Sequence, residues 1–351
     1  MTGTLTQAGF TLAGSFPEND PAAGLEETLQ LFEFAEQIGL QVAGIRQRHL
    51  ESGVSSALTF LAAATQRTSS IRLESAVVPL GYETPFRLAE DVATVDALSG
   101  GRLNAGVSTS APHSELLRPL GRGARIVEGG EDASAPPYEL IQRFLEALEG
   151  RALSSDDIFT PYGPQTPRVQ PHIPSLRDRV WLGGGSLRSV RWAGEHGLKL
   201  LLGNLTASDG EDRFEYAQRI HVDEYYAAFT GSGSPAVGVE RVIVPTDSAT
   251  SEQRAHYAAY AASREERTLA PTRGIVFQRD LVGTSDEIAE RLRTDPSIDG
   301  RTELRVALPY AFAQDEYRQI LTDIAERVLP ELGWAPGPVV PDAQTREAVA
   351  V

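Results

Sequence analysis

The stretch from Leu88 to Val107, LAEDVATVDALSGGRLNAGV, joins the pattern of an amphipathic helix directly to that of a buried strand. Leu88, Val92, Val95 and Leu98 recur at intervals of three and four residues, which predicts one buried helical face. The apolar residues after the glycine pair predict a strand. A helix that passes through so short a turn into a buried strand is typical of a parallel β/α repeat.

The two ends of this helix are also marked in the sequence. Thr84 is the predicted N-cap, and Pro85 suits the first helical position because its missing N–H would have no partner there. Gly100 and Gly101 favour the end of the helix, since glycine adopts a positive φ at low cost. We therefore expect the helix to end at this glycine pair.

Apolar segments of strand length alternate with segments of helical period along the chain, which favours a parallel sheet. The predicted strands lie at 8–14, 41–47, 71–79, 102–108, 180–184, 198–203, 237–245 and 304–309. The predicted helices lie at 24–38, 55–66, 85–98, 136–149, 186–196, 212–229, 251–267 and 316–332. Strands and helices in this number predict a (β/α)8 barrel of the TIM type with insertions. A doubly wound sheet would usually carry a GxGxxG turn after its first strand, and the sequence has none there.

Residues 1–335 are predicted to form a single barrel domain, and the length of 351 residues suits a barrel with insertions. The insertions lie near 150–179 and 270–301. The first is rich in proline and is expected to run extended across a barrel face. The second is expected to hold a short helix with a capping box formed by Thr284 and Glu287. Residues 336–351 are predicted to be a flexible C-terminal tail.

Composition excludes several classes of function. The chain has 48 acidic and 32 basic residues, and its formal charge of −16 disfavours nucleic acid and anionic membrane surfaces as partners. It has no cysteine, which excludes disulfides and thiolate chemistry, and its histidines lack metal-binding spacing, so no metal is predicted. The sequence shows neither a signal peptide nor an apolar run of about 18 residues, which predicts a cytoplasmic protein without a membrane segment.

The turn Gly183-Gly184-Gly185-Ser186-Leu187-Arg188-Ser189 follows a predicted strand and opens a predicted helix. Glycines let a ligand approach the backbone, and the free N–H groups of a helix start attract anions. The two serine hydroxyls and the arginine add hydrogen-bond donors. The pattern predicts a phosphate site, although an ordinary β-to-α turn favours the same glycine and serine residues.

Several segments together resemble one family of enzymes. FAEQIGLQVAGIRQRH, FLAAATQRTSSIRLESAVVPLGYETPFR and AEDVATVDALSGGRL, in order between about Leu25 and Val107, resemble the bacterial luciferase-like flavin-dependent monooxygenases. VWLGGGSLRSVRWAGEHGL, from Val180 to Leu198, is similar to a second part of that family. The resemblance implies a barrel enzyme that oxygenates a small organic substrate with O2 and reduced FMN. It also implies a separate NAD(P)H:flavin reductase and a homodimer.

The resemblance implies cofactor-binding roles for residues in three loops. In the first loop, the hydroxyls of Ser186 and Ser189 and the backbone of Leu187 and Arg188, with the adjoining glycines, would bind the flavin phosphate. Those glycines are Gly184 and Gly185.

The other two loops follow predicted strands three and four. The bond between Ala76 and Val77 would be a non-prolyl cis peptide that supports the isoalloxazine ring. Ser108 and Thr109 stand where the family commonly has a glycine-rich segment beside the flavin.

His49 is the candidate catalytic residue. It follows Arg46, Gln47 and Arg48 just past the second predicted strand, and an imidazole beside a flavin can transfer a proton near neutral pH. Family members often have Glu-His-His where this chain has Gln47, Arg48 and His49. The absence of the acidic residue and of the first histidine weakens the case for a long-chain aldehyde substrate.

Three other functions remain open at this point. A deazaflavin F420-dependent oxidoreductase would transfer hydride on the same barrel and would need no oxygen. A non-catalytic barrel would bind oxidised flavin without turnover. A flavin-free lyase or isomerase would use the 183–189 turn for a phosphorylated substrate. Cofactor binding and oxygen dependence distinguish these alternatives.

Overall fold

A closed barrel of parallel strands forms the centre of the protein. The computed structural model describes residues 4–110, 113–117, 137–310 and 312–337. Its barrel strands are β1 (Ala8–Leu12), β2 (Val42–Ile45), β3 (Arg72–Ser75), β4 (Leu103–Ser108), β5 (Val180–Gly184), β6 (Lys199–Leu202), β7 (Val237–Arg241) and β8 (Thr302–Ala307). Each strand pairs in parallel with the next, and β8 pairs with β1. The predicted (β/α)8 TIM barrel is confirmed.

A helix follows each barrel strand in the described part of the chain. These helices are α1 (Pro21–Gln37), α2 (Ala57–Thr65), α3 (Pro85–Ser99), α4 (Pro137–Leu148), α5 (Leu187–Glu195), α6 (Phe214–Ala228), α7 (Ser251–Arg264) and α8 (Gln314–Asp323). A short helix, Ser114–Leu117, precedes α4, and α8 continues as a π-helical turn, Ile324–Val328. Short 3-10 turns lie at Leu80–Tyr82, Pro174–Arg179, Glu266–Thr268 and Pro330–Leu332. Apolar side chains between strands and helices make one continuous core.

Helix α3 follows the signals that its sequence carries, apart from one residue. Thr84 is the N-cap, Pro85 is the first helical residue, and Gly100 ends the helix with a φ of 67°. The prediction that Leu98 is buried was wrong, because its side chain is 52% exposed. At about 100° per residue, the face centred on the three buried apolar residues continues to Ser99, which is buried.

Short strands and one further helix lie outside the barrel. In the first insertion, Ile158–Thr160 and Gly163–Gln165 form an antiparallel hairpin, where the sequence predicted extended chain. Elsewhere, Leu205–Ala207 pairs with Ile275–Phe277. Val78–Pro79, by contrast, belongs to the barrel sheet and pairs in parallel with the end of β4. The second insertion contains the helix Ser285–Thr294, and the predicted capping box of Thr284 and Glu287 is confirmed.

The predicted strand at 237–245 proves to be two strands. Val237–Arg241 lies in the barrel, whereas Ile243–Pro245 pairs with Leu281–Gly283 outside it. Val242 lies between these two strands. Its N–H donates to the side-chain oxygen Oε1 of Gln278 at 2.8 Å and not to a neighbouring strand.

The predicted tail falls mostly outside the described residues. Pro336 and Gly337 lie against Gly39, whose carbonyl oxygen is 3.5 Å from the N–H of Gly337. Residues 338–351 are not among those described. Across the described ranges, no helix is both long enough and apolar enough to cross a membrane.

The barrel interior contains a buried layer of charge. Glu74 on β3 and Arg305 on β8 are fully buried, and the two guanidinium nitrogens Nε and Nη2 each lie 3.0 Å from the carboxylate. The amide of Asn104 on β4 also donates to Glu74, at 3.0 Å. A buried charge is tolerated when it is paired and hydrogen-bonded in this way. This layer ties together strands on different sides of the barrel.

Candidate active site

A cavity of about 510 Å³ opens where the carboxyl ends of the strands meet. This volume lies in the range usual for sites that bind small molecules and cofactors, and TIM barrels place their active sites at this end. Eight of the residues selected from the sequence line it: Ala76, Val77, Ser108, Thr109, Gly184, Gly185, Ser186 and Ser189. Their side chains and backbone come from loops after β3, β4 and β5. The barrel therefore brings the three predicted cofactor loops to one cavity.

The turn before α5 is organised around two serine hydroxyls. Ser189 Oγ accepts the N–H groups of Gly185 and Ser186, both at 3.1 Å, and donates to the carbonyl oxygen of Ser186 at 2.9 Å. Ser186 Oγ accepts the N–H of Ser189 in a capping box. Because Ser189 is committed to the turn, Ser186 supplies the hydroxyl that can turn toward a ligand.

Leu187 and Arg188 do not line the cavity. The N–H of Leu187 donates to Asp209 Oδ2 at 3.1 Å, and the same oxygen lies 2.7 Å from Nε2 of the buried His221. The Arg188 guanidinium lies 5.1 Å from the centre of the Tyr138 ring. The N–H of Arg188 has no acceptor among the described residues, which leaves it as the free backbone donor of this first helical turn.

The segment after β3 presents its backbone to the same cavity. The Ala76–Val77 peptide bond is cis, as predicted. Ser75 Oγ holds this segment to β4, since it accepts the N–H of Gly106 and donates to its carbonyl oxygen, both at 2.9 Å. The Val77 side chain fits against Gly106 and Gly183, because an added Cβ on either glycine would lie 3.1 Å from Val77 carbons. Two glycines on β4 and β5 thus make room for Val77.

Ser108 and Thr109 form the wall of the cavity after β4. Ser108 is buried and its hydroxyl lies 2.8 Å from that of Ser110, while Thr109 is half-buried. Tyr138, at the start of α4, completes this side, and burial raises the pKa of its hydroxyl. These side chains offer neutral hydrogen-bond donors and acceptors to a ligand.

His49 lies at the same end of the barrel but is not among the residues that line the cavity. Its ring packs edge-on against Tyr82 with centres 4.9 Å apart, and Nε2 lies 3.1 Å from the amide nitrogen of Gln47. An amide nitrogen can only donate, so His49 Nε2 is the acceptor in this contact. The same Gln47 nitrogen also donates to Glu83. Burial lowers the pKa of His49, which favours its neutral form.

Sequence reasoning missed two charged residues in the cavity. Arg46 follows β2 and Glu240 lies near the end of β7, and both line the cavity. Arg46 Nη2 lies 2.8 Å from Glu240 Oε2, and the Thr11 hydroxyl donates to Glu240 Oε1 at 2.8 Å. A charged side chain at the carboxyl end of an otherwise apolar strand, as in VAGIR and VGVER, is the signal that could have identified them.

The residues present suit a flavin mononucleotide. A hydroxyl and a backbone N–H at a helix start are the donors that a phosphate requires. Gly184 keeps the turn open, since an added Cβ there would lie 2.8 Å from Ser189 Oγ. Arg46 Nε and Nη1, which have no acceptor among the described residues, suit the carbonyl oxygens and ring nitrogens of an isoalloxazine.

Comparisons with known proteins agree on one family. A family model described as luciferase-like monooxygenase matches residues 6–297. The chain is similar to 4-hydroxyprotoasukamycin monooxygenase of Streptomyces nodosus subsp. asukaensis, with 34% identity over 99 residues, which are 28% of this chain and 27% of that protein. Matches to the curated relatives cover only 27 to 54% of those proteins' own length.

Solved structures share the fold over nearly the whole chain. Monooxygenase RslO1 from Streptomyces bottropensis is 20% identical, with a TM-score of 0.68 over 93% of this chain and 99% of that one. The oxygenating constituent of 3,6-diketocamphane monooxygenase of Pseudomonas putida, solved in complex with FMN, is 14% identical, with a TM-score of 0.63 over 93% and 98%. At these identities the likeness shows the barrel fold.

Proposed function

This chain belongs to the luciferase-like monooxygenase family, and we propose that it oxygenates a small organic substrate with molecular oxygen and reduced FMN. One observation carries the proposal. The serine turn at the start of α5 and the Ala76–Val77 segment line one cavity, so hydrogen-bond donors suited to a phosphate and a backbone segment suited to a flat ring adjoin the same space. A phosphorylated flavin needs both features.

The proposal gives each part of the cavity a role. The Ser186 hydroxyl binds the flavin phosphate, and Ser189 holds the turn in shape. The N–H of Arg188 lies outside the cavity lining and would be a further donor if the phosphate reaches the start of α5. Gly184 and Gly185 let the phosphate approach the backbone, and Ala76 and Val77 support one face of the isoalloxazine. Ser108 and Thr109 form the part of the wall that follows β4. The bound flavin supplies the electrons that activate oxygen, while the protein orients the substrate and limits access of water.

We also propose His49 as the residue that transfers a proton at the mouth of the barrel. Burial lowers the pKa of His49, which favours the neutral ring, and Gln47 orients the ring through Nε2. This leaves Nδ1 as the protonated nitrogen, which is a donor at neutral pH. The role predicts a change in pH profile when His49 is replaced by glutamine.

The proposal includes two partners that the family resemblance implies. A separate NAD(P)H:flavin reductase would supply reduced FMN, because each turnover consumes the two electrons that the flavin carries. A second copy of the chain would form a homodimer. Both are tested by reconstitution with a flavin reductase and by sedimentation of the purified protein.

The experiment that tests the proposal is rapid mixing of protein and reduced FMN without oxygen, followed by exposure to oxygen. The return of oxidised-flavin absorbance is then compared with that of free reduced FMN. We expect the protein to slow this return markedly, because binding in the cavity would limit the access of water to the reduced flavin. An unchanged rate contradicts the proposal. Binding of F420 in place of FMN would assign the cavity to hydride transfer, and tight binding of oxidised FMN without turnover would indicate a non-catalytic flavin barrel.

A further inference from the structure

We infer that Arg46 and Glu240 act as an opposed charge pair that sets the relative affinity of this cavity for reduced and oxidised flavin. The inference rests on the proposed function, because it concerns the same cavity and the same cofactor. It assigns a role to two side chains that the flavin-binding loops do not include.

The pair spans the inside of the barrel mouth. Arg46 follows β2 and Glu240 belongs to β7, and the strands β1 and β8 lie between them in the sheet. Arg46 Nη2 lies 2.8 Å from Glu240 Oε2, and the hydroxyl of Thr11 on β1 donates to the other carboxylate oxygen, Oε1, at 2.8 Å. A contact across the barrel places both charges in the cavity and not on its outer rim.

Arg46 is only partly used by this pair. Its Nη2 lies near both Thr11 and Glu240, at 3.4 and 2.8 Å. Its Nε and Nη1 have no acceptor among the described residues, and the side chain is 20% exposed. Because Arg46 lines the cavity, these two nitrogens are donors for a molecule bound there.

Each member of the pair has an opposite effect on the flavin. Reduction of oxidised FMN by two electrons with uptake of one proton gives an anionic ring, and uptake of a second proton gives a neutral ring. The guanidinium of Arg46 stabilises the anionic ring, and the carboxylate of Glu240 destabilises it. Both charges act strongly because the cavity screens them less than bulk water does.

Electrostatics also explains why the two charges occur together. A single buried charge beside the flavin would need a partner, and loss of one member leaves the other uncompensated. Thr11 gives Glu240 a second hydrogen bond, so the carboxylate stays in place when the Arg46 side chain adjusts to a ligand. Glu240 is thus held by two groups, Arg46 and Thr11.

The test measures dissociation constants of oxidised and of reduced FMN without oxygen for Arg46→Gln, Glu240→Gln and the double variant. We expect Arg46→Gln to weaken reduced FMN at least tenfold relative to oxidised FMN, which lowers the two-electron potential by about 30 mV. Glu240→Gln should change the ratio in the opposite direction, and the double variant should lie between them. Arg87→Gln is the matched control, since Arg87 is exposed on α3 and pairs there with Glu90 and Asp91.

Several results would overturn the inference. Shifts of the same sign for the two single variants, or shifts no larger than that of Arg87→Gln, would show that the charges do not act on the ring. If Arg46→Gln fails to fold, the opposite shift expected of Glu240→Gln still tests the inference, because the glutamine keeps the shape of the carboxylate. Absence of FMN binding by the wild-type protein would instead refute the proposed function.

Discussion

Replacement of Gly183 by alanine tests how the barrel holds Val77 at the cavity. The new Cβ would lie 3.1 Å from both γ-carbons of Val77 and 3.5 Å from the carbonyl oxygen of Val107. Carbon atoms pack best at about 3.5–4.0 Å, so Val77 must move by a few tenths of an ångström. Overpacking of this kind typically costs about 1–3 kcal/mol of unfolding free energy. We expect a loss in that range and weaker binding of FMN.

A double-mutant cycle makes this prediction specific. Val77→Ala removes both γ-carbons, so it should recover most of the stability and FMN affinity that Gly183→Ala loses. Gly106→Ala is the contrasting variant, because its Cβ would lie 1.9 Å from the backbone oxygen of Ser75. A change at Val77 cannot relieve this clash, because the clash is with the backbone of Ser75. The double variant Gly106→Ala/Val77→Ala should therefore remain unstable.

Urea denaturation and flavin fluorescence titration measure these effects. The coupling between Gly183→Ala and Val77→Ala should be about 0.5–3 kcal/mol, as is usual for residues in contact. If the two changes are simply additive, or if Val77→Ala rescues Gly106→Ala equally well, the packing described for Val77 is incorrect.

Three further predictions follow from the same structure. Ser186→Ala should weaken FMN binding roughly tenfold, since a hydrogen bond to a charged group contributes about 1.5–3 kcal/mol. The same substitution should leave riboflavin binding unchanged, because riboflavin has no phosphate. Equal losses of affinity for both ligands would refute the phosphate role. Arg179→Met leaves the buried carboxylate of Asp96, which lies 2.6 Å from Arg179 Nη2, without its charged partner. The free energy of unfolding, measured by urea denaturation, should fall by about 3–5 kcal/mol. An unchanged free energy of unfolding would contradict the pairing. Burial lowers the pKa of His49 in the folded protein, so its contribution to stability is complete above its unfolded pKa of about 6.5 and is lost as pH falls through the folded pKa. Wild-type protein should therefore lose more stability than His49→Gln between about pH 7 and 5, and equal losses would contradict this.

Local signals in the sequence were sufficient for much of the fold. The strands, the helices and the glycine end of α3 depend on periodicity and on φ preferences within a few residues, which the sequence displays directly. Leu98 was misplaced because its spacing of ten residues from Leu88 drifts away from the buried face, where Asp96 and Ser99 lie instead. Asp96 is buried because Arg179, distant in sequence, pairs with it.

Some residues of the cavity could not be predicted, because they depend on contacts that local sequence patterns do not reveal. The turn after β5 was found from its glycines and serines, and the cis bond at Ala76 was implied by the family resemblance. Arg46 and Glu240 are 194 residues apart and meet only because the barrel closes. Asp209 likewise reaches the N–H of Leu187 through the packing of a neighbouring loop. Such contacts follow from the register of the closed sheet.

The most direct test of the central claim is anaerobic calorimetric titration of the wild-type protein with reduced FMN and, separately, with reduced riboflavin. These ligands differ only in the phosphate, so the comparison isolates the serine turn before α5. The account predicts that reduced FMN binds at least about tenfold more tightly than reduced riboflavin, in line with a charged hydrogen bond of about 1.5–3 kcal/mol. Equal affinity for the two ligands, or no binding of either, would contradict it.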